Sequence, residues 1–182
     1  MTFRFQRKDI PDVISIHCEP HSDERGFFEE TFKSSSFKSN FINLDFIQDN
    51  HSFSHKGVIR GLHFQIAPKE QGKLVSVICG KIFDVAIDIR PGSVYYGKWT
   101  SEILSGENHT MLWIPPGFAH GFQALENSHV IYKTTNEYSV KHERGILWND
   151  PEIGIEWPIK SPIVSLKDAD LGRLADLRMA EQ

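Results

Sequence analysis

Short runs of alternating apolar and polar residues, cut by Gly, Pro, Asn and Asp, cover most of the chain. Lys73 to Arg90 is the clearest case. Phe83, Val85, Ile87 and Ile89 recur on one face, and Asp84, Ala86, Asp88 and Arg90 on the other, the period of two that a strand imposes. Leu74 to Cys79 and Ile82 to Ile89 flank Gly80-Lys81, which predicts a hairpin with a tight turn. Ala119 to Leu125 and His129 to Thr135, joined through Glu126-Asn127-Ser128, predict a second. Further strands are predicted over 3–19 (one or two, at an edge), Phe27 to Phe32, Asn43 to Gln65 with a turn near His55-Lys56-Gly57, Tyr95 to Leu104 broken at Gly97, and Met111 to Ile114. Short late strands are predicted at Ile155 to Pro158 and at Ile163-Val164. Helical signals are confined to Ser34 to Phe41, with Ser34 or Ser35 as cap, and to the C-terminal run of Leu171, Leu174 and Leu177. Many short strands with regular turns predict an all-β sandwich or barrel. We expect one domain over 1–182, with a mouth suited to a small molecule.

One stretch departs from simple packing. From Gln48 to Gln65 the chain sets amide, hydroxyl, imidazole and guanidinium groups around a short apolar run. Strict alternation gives Val58, Arg60, Leu62 and Phe64 one face and Ile59, Gly61, His63 and Gln65 the other, so neither face is cleanly apolar. Buried polar groups need partners, so such a strand suits a cavity wall better than a dry core. His63 is the expected chemical centre.

Composition narrows the partners. The 182 residues are 40% hydrophobic, enough for a core, with a formal net charge of -4. That balance speaks against a nucleic-acid binder, while 20 Lys and Arg still allow a local cationic pocket for an anionic ligand. Two cysteines, Cys18 and Cys79, form no C-x-x-C pair and read as reduced thiols. The charged segment Met1 to Asp12 is no signal peptide, and no apolar run reaches the roughly 18 residues of a membrane span. A cytoplasmic protein with no membrane partner is expected.

Trp113 to His120 carries a P-x-G-x-x-H core that resembles the second sequence motif of the cupin jelly rolls. Metal cupins also contribute an H-x-H pair. Here Leu62-His63-Phe64-Gln65 has one His and then Gln, and His63 with His120 falls short of a three-ligand metal site. A metal-free site is expected.

The resemblance then tightens. Asp23-Glu-Arg25-Gly-Phe-Phe, Gln48-Asp-Asn50-His-Ser, Gly57-Val-Ile-Arg60-Gly-Leu-His63-Phe-Gln, Gly72-Lys73-Leu-Val, Leu112-Trp-Ile-Pro-Pro-Gly-Phe-Ala-His120, Tyr132-Lys-Thr-Thr and Leu166-Lys167-Asp168 follow in the order of one family. Over nearly its whole length the chain resembles the dTDP-4-dehydrorhamnose 3,5-epimerases. The resemblance implies a cofactor-free, cupin-like double-stranded β-helix (jelly roll) with short peripheral helices, working as a homodimer on a dTDP-sugar. It implies His63 as base, Tyr132 as acid, Asp168 orienting His63, and Lys73 beside the enolate oxygen. It also implies substrate contacts from Arg25, Glu30, Gln48, Asn50, His120, Glu143 and Lys167; from residue chemistry, Arg60 suits the pyrophosphate of such a substrate and Tyr138 its base. Read from the residues alone, alternatives stay open. Ser165 to Asp168 resembles a helix cap, Asp84 and Asp88 compete as partners of His63, and Tyr138 is a rival acid or a surface for the thymine. Arg25 and Glu30 lie far from the rest in sequence and would suit a neighbouring protomer's site. A C3-only epimerase, a non-catalytic nucleotide-sugar binder and a metal-dependent oxygenase remain the competing functions.

Overall fold

The computed structural model describes residues 3–180. Its strands are β1 (Phe3–Arg7), β2 (Ile14–Cys18), β3 (His21–Asp23), β4 (Gly26–Phe28), β5 (Gln48–Ser54), β6 (Val58–Gln65), β7 (Lys73–Cys79), β8 (Lys81–Asp88), β9 (Trp99–Ser105), β10 (Thr110–Ile114), β11 (Phe118–Ala124), β12 (Ser128–Thr134), β13 (Glu143–Gly145) and β14 (Ile163–Val164). The helices are α1 (Ser34–Lys38), α2 (Leu166–Ala169) and α3 (Leu174–Ala180). One antiparallel sheet runs β1-β2-β10-β7-β12-β5. The second runs β13-β6-β11-β8-β9, with β14 added parallel to β6. From β5 to β8 and again from β10 to β13 the chain changes sheet at every connection, the winding of a double-stranded β-helix. The fold is a cupin-like jelly roll.

That winding corrects both predicted hairpins. β7 pairs with β10 and β12, whereas β8 pairs with β9 and β11. β11 and β12 likewise lie in different sheets. A single residue, Gly80, separates β7 from β8, too short a loop to fold them side by side. Gly80 instead turns the chain from one sheet to the other at φ +85°, where an added Cβ would sit 2.2 Å from the Asn127 carbonyl oxygen. The corner is tied by Ser128, whose hydroxyl accepts from Lys81 N–H and approaches the Lys81 carbonyl.

Three apolar clusters account for strands that are apolar on both faces. Val75, Val77, Ile82, Ala86, Leu112, Phe122 and Val130 meet between the sheets. Val85, Ile87, Ile89, Leu62 and Phe64 face the other way and are covered by the C-terminal segment through Ile146, Trp157 and Leu174. Leu74, Ile16 and Trp113 on the outer side of the first sheet are covered by Phe37 of α1 and by Ile42. The more apolar face of β8 therefore points outward under the C-terminal segment, and its Asp84–Ala86 face looks into the space between the sheets.

Smaller corrections follow from local bonding. Phe27 to Phe32 is strand only through Phe28, in a ribbon with β3. Residues 93–97 form turns, with the strand starting at Trp99, and 155–158 is not strand. The N-cap of α1 is Lys33, without a side-chain cap bond, so Ser34 and Ser35 are inside the helix. The C-terminal region is two short helices, and Ser165 does cap the first: its hydroxyl accepts from Asp168 N–H.

Candidate active site

A cavity of about 510 Å³ opens between the sheets, lined by Arg60, His63, Lys73, His120, Tyr132 and Asp168 among others. A second, of about 210 Å³, shares His63, Lys73 and Tyr132 and adds Gln48, Asn50, Tyr138 and Glu143. The walls of the larger cavity are strands of both sheets: His63 on β6 and His120 on β11 face Lys73 on β7 and Tyr132 on β12.

Strict alternation would send Arg60 and His63 to opposite faces. Both line the cavity because β6 carries one extra residue between them: His63 registers with His120 but Arg60 with Phe122. Such a bulge shifts the phase of the side chains that follow. Gly61 makes it possible. Its φ is +125°, and an added Cβ would lie 2.5 Å from Gly121 Cα, so two backbones touch where a side chain would separate them.

His63 Nε2 lies 2.7 Å from Asp168 Oδ1. Gly61 N–H donates to Asp168 Oδ2 at 3.2 Å, and Asp168 N–H donates to Ser165 Oγ. Burial pushes the Asp168 carboxyl up, but the hydrogen bond and charge of His63, the Gly61 N–H and the Lys167 charge outweigh it and hold the group below the usual range. An ionised carboxylate only accepts, so His63 Nε2 carries a proton and Nδ1 is the ring nitrogen left clear of the carboxylate. Asp84 and Asp88 do not partner His63. Asp84 is fully buried and binds His120 Nε2 at 2.7 Å, while Asp88 holds Arg90 and Ser93 in the turn after β8. Burial, reinforced by Lys73 and His63, lowers the His120 pKa despite the opposing pull of Asp84, so its ring is neutral at pH 7.

Lys73 is buried and donates to the His63 carbonyl at 3.2 Å. Burial lowers its pKa to about 8, against the pull of Asp84 and Glu143. Burial raises the Tyr132 phenol, with Glu143 adding to the rise and Arg60 opposing it, so this hydroxyl keeps its proton at neutral pH. Arg60 donates from Nε to Ser54 Oγ and from Nη2 to the Phe53 carbonyl, which fixes the guanidinium and leaves its remaining N–H groups free.

At the outer rim, Glu143 accepts from Tyr138 O–H at 2.8 Å and from Lys167 Nζ at 2.6 Å. The Gln48 amide donates to Asn50 Oδ1, and its carbonyl accepts from Tyr138 N–H. Tyr138 is 51% exposed, so its ring is open to a flat ligand. Its proton is committed to Glu143, which weakens it as a rival acid. Gln65, at the place of a metal cupin's second His, is buried with its amide spent on Lys69 O, Glu137 O and Ser139 N–H. Among the described residues no three His, Cys, Asp or Glu side chains converge as metal ligands do.

Arg25 and Glu30 line neither cavity. Arg25 is exposed on the β3–β4 ribbon, paired with Asp23, and Glu30 lies 3.9 Å from Lys33. Sequence reasoning missed the role of Asp84 beside His120. The one signal in the sequence is a carboxylate alternating with apolar residues in a strand, which alternation alone places on the polar side of a hairpin.

A family model described as dTDP-4-dehydrorhamnose 3,5-epimerase matches residues 7–176. The chain belongs to this family. A dTDP-4-dehydrorhamnose 3,5-epimerase of Shigella flexneri is 49% identical over 172 residues, covering 93% of this chain and 95% of that protein. The crystal structure of the epimerase from Sulfolobus tokodaii superposes with a TM-score of 0.90 at 51% identity, covering 96% of this chain and 97% of that one. An epimerase of Legionella pneumophila, solved in complex with dTDP-4-keto-L-rhamnose, gives a TM-score of 0.92 at 43% identity, covering 95% and 93%. Within this epimerase, no described helix is long and apolar enough to cross a membrane.

Proposed function

We propose that this epimerase inverts C3 and C5 of dTDP-4-dehydro-6-deoxy-D-glucose, giving dTDP-4-dehydro-L-rhamnose, with His63 as base and Tyr132 as acid. The observation that carries the reading is the origin of these two groups on opposed sheets across one cavity. Inversion needs a proton taken from one face of the sugar and returned on the other. His63 Nδ1 removes the proton on C3, and the bonding pair moves into the C4 carbonyl to form an enolate. The Lys73 ammonium stabilises the developing negative oxygen, and His120, on the facing sheet with Nε2–H given to Asp84, offers Nδ1 to a sugar hydroxyl. Tyr132 O–H delivers a proton to the opposite face and recovers its own from solvent, to which His63 releases the proton it took. The sequence repeats at C5. No redox partner or cofactor enters this balance.

Arg60, with Ser54 and Phe53 O anchoring it, suits the pyrophosphate, where a fixed guanidinium binds two oxygens. Gln48, Asn50, Glu143 and Lys167 would hold the sugar and nucleotide at the rim, and Tyr138 would stack on the thymine. A homodimer supplies the natural use of Arg25 and Glu30: the exposed β3–β4 ribbon would carry them into the neighbouring protomer's site. A cytoplasmic setting fits the two free thiols, one of them, Cys18, buried with its pKa pushed up to about 12. The whole chain would act as one jelly-roll domain.

Incubation with dTDP-4-dehydro-6-deoxyglucose in heavy water, read by NMR, tests the proposal. Deuterium at both C3 and C5, with an L-rhamno product, is expected. Deuterium at C3 alone would make the chain a single epimerase, and none at either carbon a binder.

A further inference from the structure

The β3–β4 ribbon stands apart from both large sheets. Its strand residues are all exposed, and the two strands pair with each other. A lone two-stranded ribbon is marginal in water, so its direction must be set where it joins the body. Packing does little there. A cavity of about 190 Å³ opens at the root, lined by Phe27 and Glu29 and, from the first sheet, by Ser76, Ile78 and Met111.

His109 reaches the root across this cavity. It ends the turn between β9 and β10. Its ring meets Phe27 edge to face, with centroids 5.0 Å apart and planes at 78°. Its Nδ1 lies 2.9 Å from Glu29 Oε2, and both side chains are largely shielded. Glu29 Oε2 is buried without a hydrogen bond among the described residues, so the imidazole is the polar group that faces it. The His109 carbonyl also accepts from Cys18 N–H at 2.8 Å, where the chain leaves β2 for the ribbon. His109 is itself held by its turn: Asn108 Oδ1 accepts from Ser105 N–H and Thr110 N–H, and Ser105 Oγ accepts from Asn108 N–H. At φ +49° the backbone of His109 is left-handed, which favours glycine, yet an imidazole stands there.

We propose that His109 is a positioning residue for the reaction: by holding Phe27 and Glu29 it sets the direction of the ribbon, and so the placement of Arg25 and Glu30 in the neighbouring protomer's site. Phe27 is two positions from Arg25, and Glu29 adjoins Glu30. His109 lines neither cavity of its own protomer's active site, so its effect passes through the ribbon. This inference rests on the proposed epimerase with sites shared between protomers, and deepens it.

The test is His109→Gly, which suits the left-handed backbone and leaves Asn108 to tie the turn. Alone it should lower kcat/KM for deuterium exchange at C3 and C5 roughly 10- to 100-fold, the effect of a binding group displaced by about an ångström. Unfolded and refolded together with His63→Ala, it should recover exchange several-fold above the mean of the two variants. One site of the mixed dimer then joins the intact His63 of the first chain to the intact ribbon of the second. Refolded with Arg25→Ala it should recover nothing, because both ribbons are defective.

Wild-type exchange in His109→Gly, or recovery with Arg25→Ala, would overturn the inference. So would no recovery with His63→Ala in a sample where Arg25→Ala and His63→Ala do restore each other, which is the result a purely structural His109 would give. Failure of that control pair would remove the shared site and this inference with it. Absence of exchange in wild type would sink the epimerase reading itself. Should His109→Gly not fold, His109→Asn, which also tolerates a left-handed backbone and lacks the ring, is judged by the same outcomes.

Discussion

Asp168 Oδ1 and His63 Nε2 lie 2.7 Å apart although 105 positions separate them in the chain. The contact joins the first residues of a C-terminal helix to the central strand of the site. It sets which imidazole nitrogen can act as a base. Asp168→Asn keeps the shape of the side chain but can offer its amide N–H to Nε2, favouring the other tautomer. Deuterium exchange at C3 and C5 should fall roughly 1,000- to 10,000-fold, as wrong-tautomer variants of comparable His–Asp pairs do. A loss of less than about tenfold would remove Asp168 from its orienting role.

The same contact predicts an acid limb of stability. The folded-state pKa of Asp168 lies below its ordinary value of 3.8, so the folded protein holds the carboxylate charged at lower pH than the unfolded chain does. Its stabilising contribution is complete above 3.8 and is lost as pH falls through the lower, folded value. Glu143 and Asp88 are lowered as well and act in the same sense. Urea unfolding between pH 6 and the acid range, set by these carboxylates, should show falling stability in wild type and a shallower fall in Asp168→Asn. Identical slopes would contradict the assignment.

Tyr132→Phe removes the proposed acid and leaves the base. His63 can still take a proton from C3 and return one from solvent to the same face. Inversion should therefore slow by roughly 100- to 10,000-fold while exchange at C3 persists. NMR in heavy water separates the two rates. If inversion and exchange fell together, Tyr132 would not be the group that protonates the far face.

Gly61 makes a structural prediction. Gly61→Ala places a Cβ on a residue at φ +125° and against Gly121 Cα. Left-handed backbone alone costs an L-residue about 1–2 kcal/mol, and the forced separation of the two strands adds to it. Urea denaturation should report a loss of at least that size. Activity should fall further, because Arg60 and His63 share the cavity only through this bulge. Wild-type stability in Gly61→Ala would show that the two backbones can part without cost.

The proposed sharing of sites between protomers has a mixing test. Arg25→Ala and His63→Ala should each be nearly inactive alone. After the two are unfolded and refolded together, mixed dimers would contain one complete site, made of the His63 of one protomer and the Arg25 of the other, and activity should return. No recovery, in a sample shown by sedimentation to contain dimers, would confine each site to a single protomer.

Much of this was legible in the residues. Alternation in β7, β8, β10, β11 and β12 announces an all-β chain because burial of alternate side chains is a local property of a strand. Ser165 reads as a cap because capping needs only its next three residues. The polar stretch from Gln48 to Gln65 announces a cavity wall because amides and imidazoles among apolar residues need partners. Three things lay beyond the residues. Hairpins and sheet-changing corners have the same alternation on either side of a turn, and only the partners of β7 and β8 tell them apart. Bulges break the phase of a strand without changing its composition, so the shared face of Arg60 and His63 depends on the contact between Gly61 and Gly121. Pairings across the chain arise only on folding: Asp168 meets His63 where the C-terminal segment reaches β6, and Asp84 meets His120 between the neighbouring strands β8 and β11. The sequence by itself determined which imidazole, phenol, ammonium and carboxylate groups the chain can bring to a site. Tertiary structure alone decided which carboxylate serves which histidine, because that choice is made by proximity after folding.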